Sequence, residues 1–347
     1  VGAVIDPALP APMAEDVEWV RLDDPSAAGA ARRAAERLAE RLGFPAERAA
    51  ELGLAVTEIA SNAVRHGGGG SVLLRSLRGE ATAVEVVVVD SGPGIGDVER
   101  ARRDGHTTGG TLGIGLGMMT RLADQAEIFA PAGGGTIVVA RFDADRRRPV
   151  RPDPDAAGIT RPITGETSCG DAFLVRHDGP RTVLLLCDGL GHGPVAAAAA
   201  QRAVSTVRTS VRPGASAVEI VTTVHGAMGG TRGGAVSVAE LDPDAGVVRF
   251  CGVGNVAGAV LTDGRKRGMV SMPGVAGVKV RGIRGFEYPL TPSSLVVLHS
   301  DGLTGRWATD RADGLYAQPP LVVAVALLRE AGLRHDDAGV VVARQRP

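Results

Sequence analysis

Lysine is almost missing from this chain: Lys266 and Lys279 are the only two, so nearly all of its positive charge is arginine. That scarcity, together with abundant Ala and Gly, reads as a compositional bias of the genome. Net charge is also lacking. Lys and Arg number 38 against 39 Asp and Glu, which leaves no global basic field to attract nucleic acid or a membrane surface. Long apolar runs are absent. The longest are strand-length or broken by charges, so no membrane span is expected. The N-terminus shows no basic stretch leading into an apolar one, so no secretion signal is expected. Cysteine is scarce: Cys169, Cys187 and Cys251 are odd in number and lack metal-ligand spacing. A reduced, cytoplasmic setting fits them best, with the thiols as small buried side chains. At 347 residues, two domains with separate cores are the natural expectation.

The first half reads as a mixed α/β domain. Residues 1–16, rich in Pro and Ala, are expected to be loose, and Val17–Leu22 to form a short strand. Asp24-Pro25-Ser26 marks a helix start, and Ala and Leu recur at helical spacing from Ala27 to Leu42, where Gly43 ends the run. Pro45 opens a second helix that reaches His66 before Gly67–Gly70. Strands follow at Ser71–Leu77 and Ala83–Val89, then a Gly-rich segment from Gly92 to Gly117, a helix over Met118–Ala123 and a strand over Gly133–Phe142. Asp143–Gly158, charged and holding three prolines, reads as a semi-extended linker. Beyond it, strands are expected at Ala172–Arg176, Thr182–Cys187, Ala235–Leu241, Val247–Val253, Leu295–His299 and Gly339–Ala343. Helices are expected at Pro194–Val211, Ala215–Met228 and Pro320–Ala331. The domain limits are therefore 1–16, 17–142, 143–158 and 159–347.

Two opposed chemistries are written on these halves. Glu58 and Asn62 stand four apart in a helix and project from one face. An Asn amide oxygen suits magnesium, and a carboxylate one turn away suits an attacking hydroxyl's proton. Asp90 ends an apolar strand and precedes Ser91-Gly92-Pro93-Gly94, where a carboxylate meets an adenine amino group and glycine lets the backbone approach the base. Gly113-x-Gly115-x-Gly117 opens a helix whose first N–H groups suit phosphate. No strand feeds that run, which argues against a dinucleotide-binding βαβ unit. His66 reads as a helix C-terminal residue favoured by the dipole, not as a phosphate acceptor. In the second half Asp171, Asp188, Asp301 and Asp336 each lie beside a strand-like run. Four converging carboxylates repel unless a multivalent cation neutralises them, and an oxygen-only set favours magnesium or manganese. Two such ions activate a water for attack on a phosphoester.

In this order the motifs of the first half resemble the GHKL ATPase and kinase family, nearest the RsbT type of anti-sigma-factor serine kinases. DSGPGIGDVERARRDGHTTGGTLGIGLGMMTRLADQAEI carries the likeness. It implies a two-layer α/β sandwich that binds ATP with magnesium. Glu58 would be catalytic base, Asn62 magnesium ligand and Asp90 adenine anchor, with Gly92, Gly94, Gly113, Gly115 and Gly117 in the nucleotide loops. His106–Gly110 would form a lid, placing Thr107 and Thr108 near the phosphates. GDAFLV, CDGLGHGPVAAAA, RGGAVSVAELD, GVGN, LHSDGL and RHDDAGVVVAR resemble the SpoIIE and RsbX type of PPM serine/threonine phosphatase. That likeness implies an α-β-β-α sandwich with two manganese or magnesium ions. Asp188 would bridge them, the Gly189 carbonyl would add a ligand, and Asp171, Asp301 and Asp336, rather than Asp337, would complete the set. His192 reads as loop structure, and Asn255 as part of a turn near the site.

The two resemblances together imply a bifunctional partner-switching regulator. It would phosphorylate and dephosphorylate serine or threonine on STAS-domain proteins of anti-anti-sigma or stressosome type, with a sigma factor or a second phosphatase as further partners. The alternatives are a phosphatase regulated by a non-catalytic ATP- or partner-binding module, or a sigma-factor-binding anti-sigma protein. The oligomeric state stays open.

Overall fold

A computed structural model describes residues 13–98, 101, 115–309, 311 and 313–345. Its contacts divide the chain after Pro152 into two compact units. Among the described residues no helix is long and apolar enough to cross a membrane.

The first unit runs β1 (Met13–Arg21), α1 (Ser26–Arg41), α2 (Ala46–His66), β2 (Gly70–Arg78), β3 (Thr82–Asp90), α3 (Gly115–Leu122), β4 (Gln125–Phe129) and β5 (Ile137–Asp143). Its five strands lie in the order β1-β2-β3-β5-β4, every pairing antiparallel. The period of two sends Val84, Val86 and Val88 of β3 to one face, where they meet Leu38 of α1 and Leu52, Val56 and Ile59 of α2. This is the expected two-layer α/β sandwich. Asp24 starts α1 by accepting hydrogen bonds from the Ser26 N–H at 2.7 Å and its hydroxyl at 2.6 Å.

Three local expectations need correction. The first strand begins at Met13, not Val17. Glu15 and Asp16 look like loop residues, but Asp16 accepts a 2.6 Å bond from the buried Arg75, whose other arm reaches Glu85 at 2.8 Å. Paired charges thus hold a polar strand end in the sheet. Secondly, β4 escaped the sequence reading because it is only five residues long. Thirdly, the segment expected as a linker over 143–158 is shorter. Asp143 closes β5, fully buried, and its carboxylate accepts the Val150 N–H at 2.9 Å, so the chain turns back and Val150 packs on Leu77 and Ala83. The next strand already starts at Ala156.

The second unit continues with β6 (Ala156–Arg161), β7 (Asp171–Asp178), β8 (Arg181–Gly189), α4 (Gly193–Ser210), α5 (Ala217–Ala227), β9 (Gly234–Asp242), β10 (Val247–Val253), β11 (Ala257–Thr262) and β12 (Arg265–Met269). Then come β13 (Ser271–Met272), β14 (Gly274–Val275), β15 (Lys279–Val280), β16 (Gly285–Pro289), β17 (Leu295–His299), α6 (Pro320–Ala331) and β18 (Ala338–Arg344). One sheet has the order β13-β10-β9-β8-β7, with β16 also on β10, and the other β12-β11-β17-β18-β6. Leu184, Leu186 and Phe250 of the first sheet pack against Val296, Leu298 and Val341 of the second. Helices α4 and α5 cover the first sheet through Ala199, Ala203, Ile220 and Val224. Helix α6, buried from Val322 to Leu328, packs on β6 and β18 of the second. The expected α-β-β-α sandwich results. The strands the sequence reading missed include β6, β11, β12 and β16; the last three are short, and β6 is built largely of Ala and Gly.

Candidate active sites

The acidic cluster is assembled where the two sheets of the second unit end together. Antiparallel pairing sets Asp171 of β7 directly opposite Asp188 of β8. Ser300 and Asp301 follow β17, and Asp336 and Asp337 precede β18. One side chain ties the two sheets: the buried Ser300 hydroxyl donates to Asp171 Oδ2 at 2.6 Å and accepts the Gly339 N–H at 2.9 Å. Close backbone approach fixes the rest. A Cβ on Gly302 would lie 1.8 Å from the Asp337 carbonyl oxygen, and one on Gly189 would lie 2.2 Å from that of Ala196, so only glycine fits either place.

The electrostatics are those of crowded acids. Burial pushes the Asp171 carboxyl up to about 8; the Ser300 hydroxyl opposes this, and the nearby Asp337, Asp301 and Asp336 add to it. Burial, then the charges of Asp171 and Asp301, push Asp188 up to about 9. Asp336 is also raised, by burial and then by Asp301. Asp171 is 3% exposed, yet its Oδ1 has no hydrogen-bond partner. A buried carboxylate oxygen without a donor fits a metal ligand, and an all-oxygen donor set fits magnesium or manganese. Among the described residues no three such side chains already close around one point. Asp301 also accepts from the Asn255 amide, and Asp171 from the Ser300 hydroxyl. Asp337 is set apart: its two oxygens accept the N–H groups of Ile163 at 2.8 Å and Gly170 at 2.9 Å. It shapes the backbone of the site. His192 stands exposed, with Nδ1 3.2 Å from Glu166.

In the first unit, the ends of α2 and β3 converge. Asp90 is buried, and its Oδ1 accepts the N–H groups of Gly92 at 2.9 Å and Thr136 at 3.0 Å, which fixes the carboxylate at the end of the strand. A Cβ on Gly92 would lie 2.7 Å from the Gly67 Cα, so the turn after Asp90 rests on the backbone that follows α2. Gly94 has φ +75°, and a Cβ there would meet the Pro131 carbonyl at 2.1 Å. Glu58 and Asn62 lie on α2, half-buried. Gly115 and Gly117 fall in the first turn of α3, which packs against α2. Thr107, Thr108 and Gly113 lie outside the described residues.

Sequence reasoning missed Ser300 as the tie between sheets, Thr136 as a partner of Asp90, and Glu166 beside His192. Ser300 alone had a signal, its place in the SDGL motif.

Comparison with known proteins agrees with this division. Residues 22–142 match the histidine kinase-like ATPase domain family, and residues 178–345 match the stage II sporulation protein E (SpoIIE) family. Over 113 residues the chain is 34% identical to the serine/threonine-protein kinase RsbT of Bacillus subtilis (strain 168), covering 32% of this chain and 84% of RsbT. The chain belongs to the histidine kinase-like ATPase family and carries a SpoIIE domain beside it. It is also 31% identical over 147 residues to the serine-protein kinase RsbW of Bacillus pumilus (strain SAFR-032), covering 38% of this chain and 89% of RsbW. A solved chain described under "The bacterial stressosome: a modular system that has been adapted to control secondary messenger signaling" aligns with a TM-score of 0.50 at 28% identity, over 55% of this chain and 98% of that one. The ATPase and SpoIIE domains together have the layout of a bifunctional partner-switching regulator, kinase-type in one unit and phosphatase-type in the other.

Within the SpoIIE domain, Ser300→Ala is expected to weaken divalent-metal affinity about tenfold, because the hydroxyl that orients Asp171 is lost. The same change leaves the buried Gly339 N–H without an acceptor, at a cost of about 1–3 kcal/mol in stability. Manganese titration followed by protein melting reads both effects.

Proposed function

We propose that the chain is a cytoplasmic regulator that adds and removes phosphate on serine or threonine of STAS-domain partner proteins. The observation that carries the phosphatase half is the buried Asp171, whose Oδ1 has no donor, crowded by the mutually repelling carboxylates of Asp188, Asp301 and Asp336. Asp171, Asp188, Asp301 and Asp336 would hold two magnesium or manganese ions, with the Gly189 carbonyl as a further ligand and Asp188 between them. Such ions supply an activated water and offset the phosphoryl charge. In hydrolysis, a water oxygen bonds to phosphorus, the bond from phosphorus to the seryl oxygen breaks, and that oxygen takes up a proton.

In the ATPase domain, Asp90 would receive the adenine amino group, Asn62 would bind magnesium, and Gly92, Gly94, Gly113, Gly115 and Gly117 would line the nucleotide, with Thr107 and Thr108 at the phosphates. The seryl oxygen would bond to the γ-phosphorus, the bond to the bridging oxygen of ADP would break, and the seryl proton would pass to Glu58. Positioning and charge neutralisation dominate this type of transfer. The three cysteines, all free thiols, agree with a reducing compartment. The match to RsbT and RsbW supports the choice of partner-switching substrates.

The test uses labelled ATP and a panel of STAS-domain proteins. Label should appear on serine or threonine with magnesium and be released on addition of manganese. ATP binding that changes the phosphatase rate, with no label transferred, would replace the kinase reading with that of a regulatory module.

A further inference from the structure

Between α4 and the turn after α5 the SpoIIE domain carries two arginines that, among the described residues, answer no carboxylate. Arg232 and Arg202 line a cavity of about 600 Å3 with Val195, Gly229, Gly230 and Thr231. Both side chains are exposed, and among the described residues neither forms an ion pair. The Arg202 side chain donates from Nε to the Ala227 carbonyl at 3.2 Å. The backbone around Arg232 is fixed on both sides. The Thr231 hydroxyl donates to the Met228 carbonyl at 2.7 Å and accepts the Gly233 N–H at 3.0 Å, and the Gly233 carbonyl accepts the Leu190 N–H at 3.0 Å.

The place of Arg232 matters as much as its charge. Gly234, two residues on, pairs with Gly189, next to Asp188. The Arg232 guanidinium lies 3.3 Å from where a Cβ on Gly191 would sit, so it rests along the loop that begins at the cluster. Leu190, Val195 and Val278 stand around it at 55%, 53% and 63% exposure, unusually open for large apolar side chains. Val278 borders the same turn, since its Cγ2 would meet a Cβ on Gly233 at 2.8 Å. The cavity thus has two cations and apolar flanks, and none of the residues lining it is acidic.

We infer that this groove is the substrate-docking surface of the phosphatase domain, and that it receives an acidic segment of the phosphoprotein beside the phosphorylated residue. The inference rests on the phosphatase reading above. A cavity of about 600 Å3 exceeds a single phosphoryl group, and the two guanidiniums lining it match carboxylates of a peptide.

The test compares phosphoserine peptides of equal length flanked by Asp and Glu, by Asn and Gln, or by Lys, hydrolysed by the full chain with manganese. The acidic peptide should exceed the neutral one in kcat/KM by about five- to tenfold, falling with added salt, the range expected from two partly exposed ion pairs. R202A/R232A should bring that ratio close to one, and R202E/R232E should turn it in favour of the Lys peptide. A parent chain without an acidic preference, or variants that keep it, would overturn the inference while leaving the phosphatase reading standing. So would an equal loss on the peptides and on a small aryl phosphate, which would place Arg232 on the phosphoryl group itself. If the parent chain releases no phosphate even from the aryl ester, the phosphatase reading fails and the docking surface with it.

Discussion

Asp188→Asn is expected to lower manganese-dependent release of phosphate from a phosphoserine protein by more than about a hundredfold, beyond what loss of a group one step outside a ligand shell costs. Asp188 faces Asp171 across the β7–β8 pairing and lies within the field of Asp301 and Asp336. A neutral amide cannot offset a dication, and its NH2 would point donors at the metals. The same substitution should have the opposite effect on the metal-free protein. A carboxyl whose folded pKa lies above its unfolded value favours folding below the unfolded value and loses that contribution as pH rises through the folded one. With Asp188 pushed up to about 9 from an ordinary 3.8, the metal-free SpoIIE domain should lose stability between those limits. Asn has no proton to lose. Metal-free Asp188→Asn should therefore melt above the metal-free parent at pH 8, yet gain little from manganese. Melting curves with and without manganese, beside phosphate release, check both halves. Unchanged turnover would remove Asp188 from the site.

The contrast between those two readouts explains which parts of the site were legible. Each aspartate in GD, CDGLGHG, SDGL and DD ends or precedes an apolar run, so its position at a strand end follows from pattern alone. That four strand ends meet does not. It depends on the Asp171–Asp188 register and on Ser300 joining two sheets, contacts between residues 129 positions apart. The preference for Asp336 over Asp337 rests on resemblance; that Asp337 accepts the N–H groups of Ile163 and Gly170 on its two oxygens could not be read from sequence.

The fold shows the same division. Strands β3 and β8 are nearly continuous apolar runs and were read from them. Strand β12, Arg265–Met269, carries three cations in five residues at a sheet edge, and only its ladder with β11 makes it a strand. The polar start of β1 is held by Arg75, a partner 59 residues away. Where charge replaces hydrophobicity, local pattern carries no information about pairing.

Glu58→Gln should separate ATP binding from phosphoryl transfer. Glu58 and Asn62 stand four apart on α2, and the proposed function gives them different tasks: Asn62 would hold magnesium, and Glu58 would take the proton of the attacking hydroxyl. Glutamine keeps the shape of the side chain and its place on the helix, and removes only the ability to accept that proton. Transfer of label from ATP should fall by about a hundred- to ten-thousandfold, the usual contribution of a general base, with nucleotide affinity little changed. Asn62→Ala should do the reverse at the first step and weaken magnesium-ATP binding itself. The pair of variants also addresses the regulatory-module alternative. If bound ATP acts only by altering the SpoIIE domain, Glu58→Gln keeps that influence on phosphate release and Asn62→Ala loses it. If the ATPase domain is a kinase, Glu58→Gln leaves partner proteins unphosphorylated while ATP still binds. Nucleotide binding, label transfer and phosphate release measured on the same two variants tell these outcomes apart, and a Glu58→Gln chain that transfers label at the parent rate would end the assignment of Glu58 as the base.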